Sequence, residues 1–331
     1  MPKPKVFVTR IIPDAGLEKV KFHTDAEIWP DLMPPPYSVL LEKAGAVEGL
    51  LATLNDRIDA GLLQAAPRLR VVSNFAVGFN NIDVPAATEL GIAVGNTPEV
   101  LTDATADFAF CLMIGAARRL IEGERAIHAG KWRTWEPMGY IGVDLIEKTL
   151  GIVGMGRIGF ALAKRCHLGW GMRVIYTDLY PNAAAEKELG AERVDFDVLL
   201  AESDFVSVHT NLTEETRGLF NADVFRKMKR SAVFVNTARG PLVVEKDLFE
   251  ALHSGVIFAA GLDVTDPEPM SADSPLLSLP NAVIAPHIAS ATTRSRNAMA
   301  EIAADNLLAG LDGRPLRSFV NPDVESRRRK A

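Results

Sequence analysis

The chain is poor in cysteine: two thiols, Cys111 and Cys166, among 331 residues. They sit far apart and outside any CxxC spacing, which excludes a disulfide framework and a cysteine-based zinc site. A reducing compartment, the cytoplasm, is expected, and both thiols, lying in apolar helix-like runs, are expected to be plainly buried. Positive charge is not in surplus either. Lys and Arg number 36 against 42 Asp and Glu, a net charge of −6, which excludes a generally basic nucleic-acid binder. No apolar run reaches the roughly 18 residues of a membrane span. The opening MPKPKVFVTR lacks a signal-peptide core. Gly and Pro, at 25 and 20, are too few for a fibrous or largely disordered chain. No metal site is expected. The basic ending Arg327-Arg328-Arg329-Lys330-Ala331 reads as a frayed, solvated tail.

What is present is ordinary globular material, 48% hydrophobic, long enough for two domains. Strand-like runs stand at Lys5–Thr9, Val47–Thr53, Leu69–Phe75 and Ile92–Val94, separated by helical or turn segments. The proline-rich stretch Trp29–Tyr37 is a loop. Thr102–Leu120 reads as one long apolar helix. Lys131–Gly142, with two Trp, a Tyr, a Pro and two Gly, is either a surface loop or an arm toward a partner or a site. The alternation resumes with strands at Leu150–Val153, Arg173–Tyr176, Phe205–His209, Ala232–Asn236, Ala259–Asp263 and Ala282–Ala285. Six such strands between helices are the content of a doubly wound dinucleotide domain. A helical run, Ala291–Leu311, and short polar elements follow. They are too small for a third domain and are expected to return to the first.

The strongest local signal is Gly154-Met155-Gly156-Arg157-Ile158-Gly159, preceded by an apolar strand and followed by a helix. Gly154 permits a tight turn, Gly156 lets backbone approach a pyrophosphate, and Gly159 lets helix and strand pack; the helix end then faces the phosphates. Asp178 follows at the spacing, about 20 residues on, of the acid that hydrogen-bonds an adenosine ribose. A carboxylate there repels a 2′-phosphate and argues for NAD(H) over NADP(H). Three further residues follow strand ends: Arg239 in NTARG, Glu268 in DPEP and His287 in APHIA. Ligands of open α/β sheets bind at such ends. Arg239 can grip a carboxylate with two hydrogen bonds, His287 can exchange a proton with a carbonyl or hydroxyl oxygen, and Glu268 can aim the imidazole. Each of the three also has an ordinary structural reading when taken singly. The other histidines, His23, His128, His167, His209 and His253, read as structural.

At these residues the chain resembles the D-isomer-specific 2-hydroxyacid dehydrogenases, most of all the glyoxylate/hydroxypyruvate reductase branch. The resemblance runs over nearly the whole chain through Val77-Gly78-Phe79-Asn80-Asn81-Ile82-Asp83, Thr97-Pro98, Leu101 to Asp107, the glycine loop, Asn236 to Gly240, Gly261 to Val264, Glu268-Pro269 and Pro286-His287-Ile288. It implies an α/β protein of two doubly wound parallel-sheet domains. Residues 1–98 with 289–331 would form a flavodoxin-like substrate domain, and 99–288 a Rossmann NAD-binding domain with a dimerisation arm at about 118–148. It implies Arg239, Glu268 and His287 as the catalytic set, and the Val77 and Gly78 amides as holders of the substrate carboxylate. Leu54, Trp135 and Met138 are implied to set pocket size, with Trp135 the candidate for reaching the active site of a second subunit in a homodimer. Cofactor contacts are implied at Thr105, the glycine loop, Asp178, Asn211 to Thr216, Thr237, Ala238, Asp263 (toward the nicotinamide carboxamide) and Ala289. Asn211 stands where the family often has Pro, and Ala289 where Gly is usual.

Neighbouring activities fit less well. A formate dehydrogenase would pair the histidine with Gln instead of Glu268, and a phosphite dehydrogenase would carry Lys in place of Val77. The expected activity is NADH-dependent reduction of glyoxylate or hydroxypyruvate. The alternatives are a dehydrogenase of a larger D-2-hydroxy acid and, more remotely, an NAD-sensing binding protein. No nucleic-acid or membrane partner is expected.

Overall fold

The computed structural model describes residues 2–329. They divide into one unit made of the residues up to Leu101 together with those from Ala291 onward, and a second unit, Thr102–Ser290.

The first unit is built on five parallel strands: β1 (Lys5–Val8), β2 (Asp25–Ile28), β3 (Gly49–Ala52), β4 (Val71–Asn74) and β5 (Ala93–Gly95). Their order, β2-β1-β3-β4-β5, is the flavodoxin-like arrangement. Strands β3, β4 and β5 are buried at every residue, as parallel strands covered on both faces must be, and so they read as unbroken apolar or small-residue runs. Strand β2 escapes a reading by pattern. Its DAEI sequence alternates exposed and half-buried positions at the sheet edge and has no apolar run.

The C-terminal segment completes this unit. Helix Thr293–Leu311 packs against helix Asp14–His23, and a Cβ at Gly16 would stand 2.1 Å from the Ala300 carbonyl oxygen, so only glycine allows this approach. Ser73 Oγ donates to the Ala303 carbonyl at 2.7 Å, tying the same helix to β4. Beyond the helix, Val320 N donates to Val94 O, and the Asn321 side chain takes the Val94 N–H and gives one to Ile92 O. The ending is therefore docked along β5, contrary to the frayed tail expected from its charge. Arg329 Nη1 donates to the carbonyls of Ala66 (2.6 Å) and Leu69 (2.9 Å), and its own N–H to Gly91 O. Turn carbonyls that would otherwise need water supply these bonds. Lys330 and Ala331 lie outside the described residues.

The second unit holds seven parallel strands: β6 (Thr149–Val153), β7 (Arg173–Thr177), β8 (Glu192–Arg193), β9 (Phe205–Val208), β10 (Val233–Asn236), β11 (Ala259–Leu262) and β12 (Ala282–Ile284). Their order, β12-β11-β10-β9-β6-β7-β8, reverses between β6 and β9, which is the switch point of a Rossmann sheet. Strand β8 likewise has no apolar pattern: it is two exposed residues on the edge. Helix Thr102–Ala117 lies on β11 where Gly261 has no side chain; a Cβ there would come within 2.8 Å of Leu112 Cβ.

The single helix expected over Thr102–Leu120 ends at Ala117. Arg119 takes a left-handed conformation, and a second helix runs Leu120–His128. The Arg119 guanidinium is held by the Glu122 carboxylate through two bonds of 2.7 Å, and Val143 N caps the freed Ala117 carbonyl. Cys166 is buried, with its thiol pushed up to about 12 by desolvation. Cys111 is exposed, against expectation. Its helix is apolar nearly all round, so periodicity alone could not tell which face would be covered. No helix among the described residues is long and apolar enough to cross a membrane.

Candidate active site

The glycine loop leaves the end of β6 at the switch point. Gly154 has φ +96°, and a Cβ there would lie 2.7 Å from Thr210 N, so both conformation and space demand glycine. A Cβ at Gly159 would stand 2.4 Å from Gly154 O, which shows how closely helix Arg157–Trp170 returns onto the loop. Gly156 differs: among the described residues nothing lies within 4 Å of a Cβ placed there, and no side chain caps the helix at this residue. The helix thus presents an open, positively polarised end at the glycine of this loop that has free space before it.

Asp178 follows β7 directly, and its Oδ1 accepts the Tyr180 N–H at 3.3 Å. Two links that the sequence did not reveal brace the segment around it. Arg193 donates to the backbone carbonyls of Asp178 (2.8 Å) and Leu179 (3.0 Å). Asn182 caps helix Ala183–Leu189 through Ala185 N, and its Nδ2 reaches across to Met155 O at 2.7 Å. The cap is visible in sequence as Asn before a helical run. The link to the glycine loop is not, because it depends on β6 and β7 being neighbours.

At the end of β10, Asn236 Oδ1 accepts the Ala238 N–H (3.0 Å) and its Nδ2 donates to Arg239 O (2.8 Å), which folds the NTARG turn on itself. Thr237 Oγ1 is buried and has no hydrogen-bond partner among the described residues. Burial lowers the Arg239 guanidinium from its ordinary range, while the Glu268 carboxylate opposes that shift. A Cβ at Gly240 would come within 1.9 Å of Thr265 O, so the Arg239 turn lies directly on the segment that leads to Glu268.

Asp263, at the end of β11, is only 1% exposed. Its two carboxylate oxygens accept the N–H groups of Ile288 (2.7 Å) and Ala289 (2.8 Å), and its carbonyl accepts the His287 N–H (2.9 Å). Burial raises its carboxyl above the usual range, and the two N–H bonds pull the other way. These three bonds set the turn in which His287 takes φ +55°. His287 Nδ1 meets Glu268 Oε1 at 2.5 Å, and both side chains are partly exposed. Arg239, Glu268 and His287, distant in sequence, thus belong to adjoining turns at the carboxyl ends of β10, β11 and β12.

Thr105 is buried in the first turns of helix Thr102–Ala117. The loop after β9 closes on itself, with Thr216 Oγ1 donating to Asn211 O at 2.8 Å. Ala289 is buried. Beside this loop His209 is pulled down to about 4 by desolvation, its Nε2 2.8 Å from Ser207 Oγ. In the first unit, Val77 and Gly78 follow β4 and Leu54 follows β3; all three are half-buried. The Val77 and Gly78 N–H groups have no partner among the described residues. The segment after helix Leu120–His128 carries strongly exposed apolar side chains: Trp132 at 63%, Trp135 at 79% and Met138 at 81%.

The open helix end at Gly156, the positive-φ turn at Gly154 and the orphaned Thr237 hydroxyl fit a dinucleotide. Comparisons with known proteins agree. The model for the NAD-binding domain of D-isomer-specific 2-hydroxyacid dehydrogenases matches residues 110–289. A glyoxylate reductase of Korarchaeum cryptofilum is 50% identical over 97% of both chains. A crystal structure of a Thermus thermophilus protein is similar with TM-score 0.89 and 45% identity, over 96% of this chain and 99% of that one. An NADPH-dependent glyoxylate/hydroxypyruvate reductase from Sinorhizobium meliloti, solved with NADP and malonate, is 30% identical with TM-score 0.85 over 99% of both chains. The chain belongs to the D-isomer-specific 2-hydroxyacid dehydrogenases.

Proposed function

We propose that this dehydrogenase reduces a small 2-keto acid, glyoxylate or hydroxypyruvate, with NADH preferred over NADPH. The observation that carries the reading is the Glu268–His287 pair at 2.5 Å, beside the Arg239 turn. An imidazole held by a carboxylate on one nitrogen is left to give a proton from the other. The kinship with glyoxylate reductases supports the substrate class.

In this reading the reduced nicotinamide, when bound, supplies a hydride to the keto carbon. His287 gives the carbonyl oxygen its proton, so one hydride and one proton turn the keto acid into the 2-hydroxy acid. Glu268 holds and aims the imidazole through its Nδ1. Arg239 binds the carboxylate and polarises the carbonyl, and the Val77 and Gly78 N–H groups take the carboxylate as well. Leu54, Trp135 and Met138 limit the substrate's size. The first-turn amides of helix Arg157–Trp170 receive the pyrophosphate, Thr105, Thr237, Ala238 and the Asn211–Thr216 loop line the cofactor, and Asp178 receives the adenosine ribose. Asp263 and Ala289 would hold the nicotinamide end when the cofactor is bound. The Sinorhizobium meliloti relative uses NADPH; the carboxylate of Asp178 supports the opposite preference here.

The exposed Trp132, Trp135 and Met138 support an arm, about 118–148, that embraces a second copy of the chain in a cytoplasmic homodimer. Light scattering on the intact chain tests this: a monomer at micromolar concentration refutes it. The test of function follows NADH absorbance with glyoxylate, hydroxypyruvate, pyruvate and phenylpyruvate, repeated with NADPH. Fast oxidation of NADH with glyoxylate and hydroxypyruvate is expected. Preference for phenylpyruvate moves the enzyme to a larger D-2-hydroxy acid. Tight NADH binding without turnover of any acid refutes the catalytic reading.

A further inference from the structure

The loop after β4 is held by its carbonyls. Phe75 N donates to Ala52 O (2.7 Å) and Ala76 N to Asn74 O (2.8 Å), which anchors its start. From there each carbonyl has a donor: Ala76 O accepts Thr97 N (2.9 Å), Val77 O accepts Asn96 Nδ2 (2.8 Å) and Gly78 O accepts Asn74 Nδ2 (2.9 Å). A trans peptide is planar, with its C=O and the following N–H pointing to opposite sides. The bond to Ala76 O therefore sets the direction of the Val77 N–H. The bond from Asn96 to Val77 O sets the Gly78 N–H. Both N–H groups are turned away from the groups that hold the loop, and neither has a partner among the described residues. Successive amides fixed in this way make an anion-binding concavity.

Asn96 is itself over-determined. Its Oδ1 accepts Ser318 Oγ at 2.7 Å, and its backbone carbonyl accepts Asn306 Nδ2 at 2.9 Å. Asn306 Oδ1 in turn accepts the Ser318 N–H at 2.9 Å. Asn306 is fully buried and fits only because residue 95 is glycine; a Cβ there would lie 2.9 Å from Asn306 Cγ. With Oδ1 occupied by Ser318, the Asn96 amide has one orientation, the one that aims Nδ2 at Val77 O. On the other side Asn74 also donates to Asn81 Oδ1, and Asn81 donates to Thr53 O and Asp56 O.

We infer that Asn96, locked by Asn306 and Ser318 of the C-terminal segment, is a positioning residue that presents the Gly78 N–H to a carboxylate, with Asn74 as a second strut. This rests on the reading that the Val77 and Gly78 amides receive the substrate carboxylate. The C-terminal segment is then part of substrate recognition through its hold on Asn96.

The test uses the full-length enzyme, glyoxylate as substrate and oxalate as the anionic probe. Asn96→Ala and Asn96→Asp are compared with wild type. Aspartate keeps the acceptor for Ser318 Oγ but has no N–H for Val77 O. Both variants are expected to raise the glyoxylate KM and the oxalate inhibition constant about 10–100-fold, the range for a lost hydrogen bond to a charged group. Turnover should stay within about threefold and NADH affinity should not change. Ser318→Ala, at a half-buried position, should raise KM about threefold and serves if the Asn96 variants do not fold. Val324→Ala is the control for plain destabilisation of the same unit: a lower Tm with no change in KM. An unchanged KM and oxalate constant in a folded Asn96 variant overturns the inference, whatever its Tm. Selective 15N-valine labelling of the wild type separates the two claims. If oxalate does not shift the Val77 amide resonance, the carboxylate reading itself is wrong. If it does, and the Asn96 variants bind oxalate normally, only the positioning role is wrong.

Discussion

Two loops in this molecule are proposed to offer backbone N–H groups to anions, and they are made in opposite ways. The glycine loop after β6 is built by its own residues. Gly154 supplies the left-handed turn, Gly159 the close return of the helix, and Gly156 the open approach, all within six positions. The Phe75–Gly78 loop after β4 is built by others: Thr97, Asn96 and Asn74 hold its carbonyls, and Asn306 and Ser318 hold Asn96 from more than 200 positions away. A loop of the first kind is a motif; one of the second kind is a consequence of packing. Steric demand within a few residues is written in sequence, whereas a hydrogen bond to a distant amide is written only in the fold.

The comparison can be pressed in order of expected effect. The largest effect tests neither loop but the groups they serve. His287→Ala should lower turnover about 10³-fold, roughly 4 kcal/mol of barrier, with NADH affinity within about threefold, read by steady-state kinetics and fluorescence titration. Retained turnover would remove His287 from the chemistry. Next comes a contrast inside the glycine loop. Gly154→Ala meets both the +96° φ and the Thr210 contact and should cost about 2–4 kcal/mol of stability. Gly156→Ala meets open space and should leave Tm nearly unchanged while weakening NADH binding. Equal Tm values for the two would erase the distinction drawn between them.

His209 gives a pH dependence beside the same loop. Its folded imidazole is depressed to about 4 from 6.5. Above pH 6.5 both states are neutral and this group adds no slope. As pH falls from 6.5 to 4 the unfolded chain takes up a proton that the folded chain refuses, so stability is lost, by about 2–3 kcal/mol in total. Denaturant melts of His209→Asn should be flatter than wild type across that window, and parallel curves would place the acid sensitivity elsewhere. Asp178→Ser should bring NADPH affinity up about tenfold relative to NADH, since the loss is one carboxylate facing a phosphate. An unmoved ratio would assign the preference to other groups, with Arg193 the first to examine. The smallest effect is in the first unit: Arg329→Ala removes the bonds to Ala66 and Leu69 and should lower stability by about 1 kcal/mol. A Tm equal to wild type would return the ending to the solvated tail that its charge suggests.

Much of the fold is legible because parallel strands buried on both faces must be apolar along their length. Ten of the twelve described strands answer to that rule, and the two that do not, β2 and β8, are exposed sheet edges. The helix break at Arg119 and the exposure of Cys111 were hidden for a related reason: an apolar helix gives no sign of where it stops being covered. Among site residues, those with a steric or turn signature could be found one by one, as with Gly154 and the Arg239 turn. Asn182 and Arg193 could not, since each acts by reaching a backbone carbonyl on a neighbouring strand's loop.

By itself the sequence determined two parallel-sheet units and the glycine loop with the acid that follows it, and it set an arginine, a glutamate and a histidine at turns after strands; only the resemblance to a family singled those three out. These depend on burial, local conformation and chemical type, which each residue carries with it. Tertiary structure alone decided that Glu268 meets His287, that Asp263 spends its carboxylate on the turn behind that histidine, and that the chain's ending sets the backbone beside Val77. Those depend on which strand ends and helix ends become neighbours, and a neighbour's identity is a property of the whole packed chain.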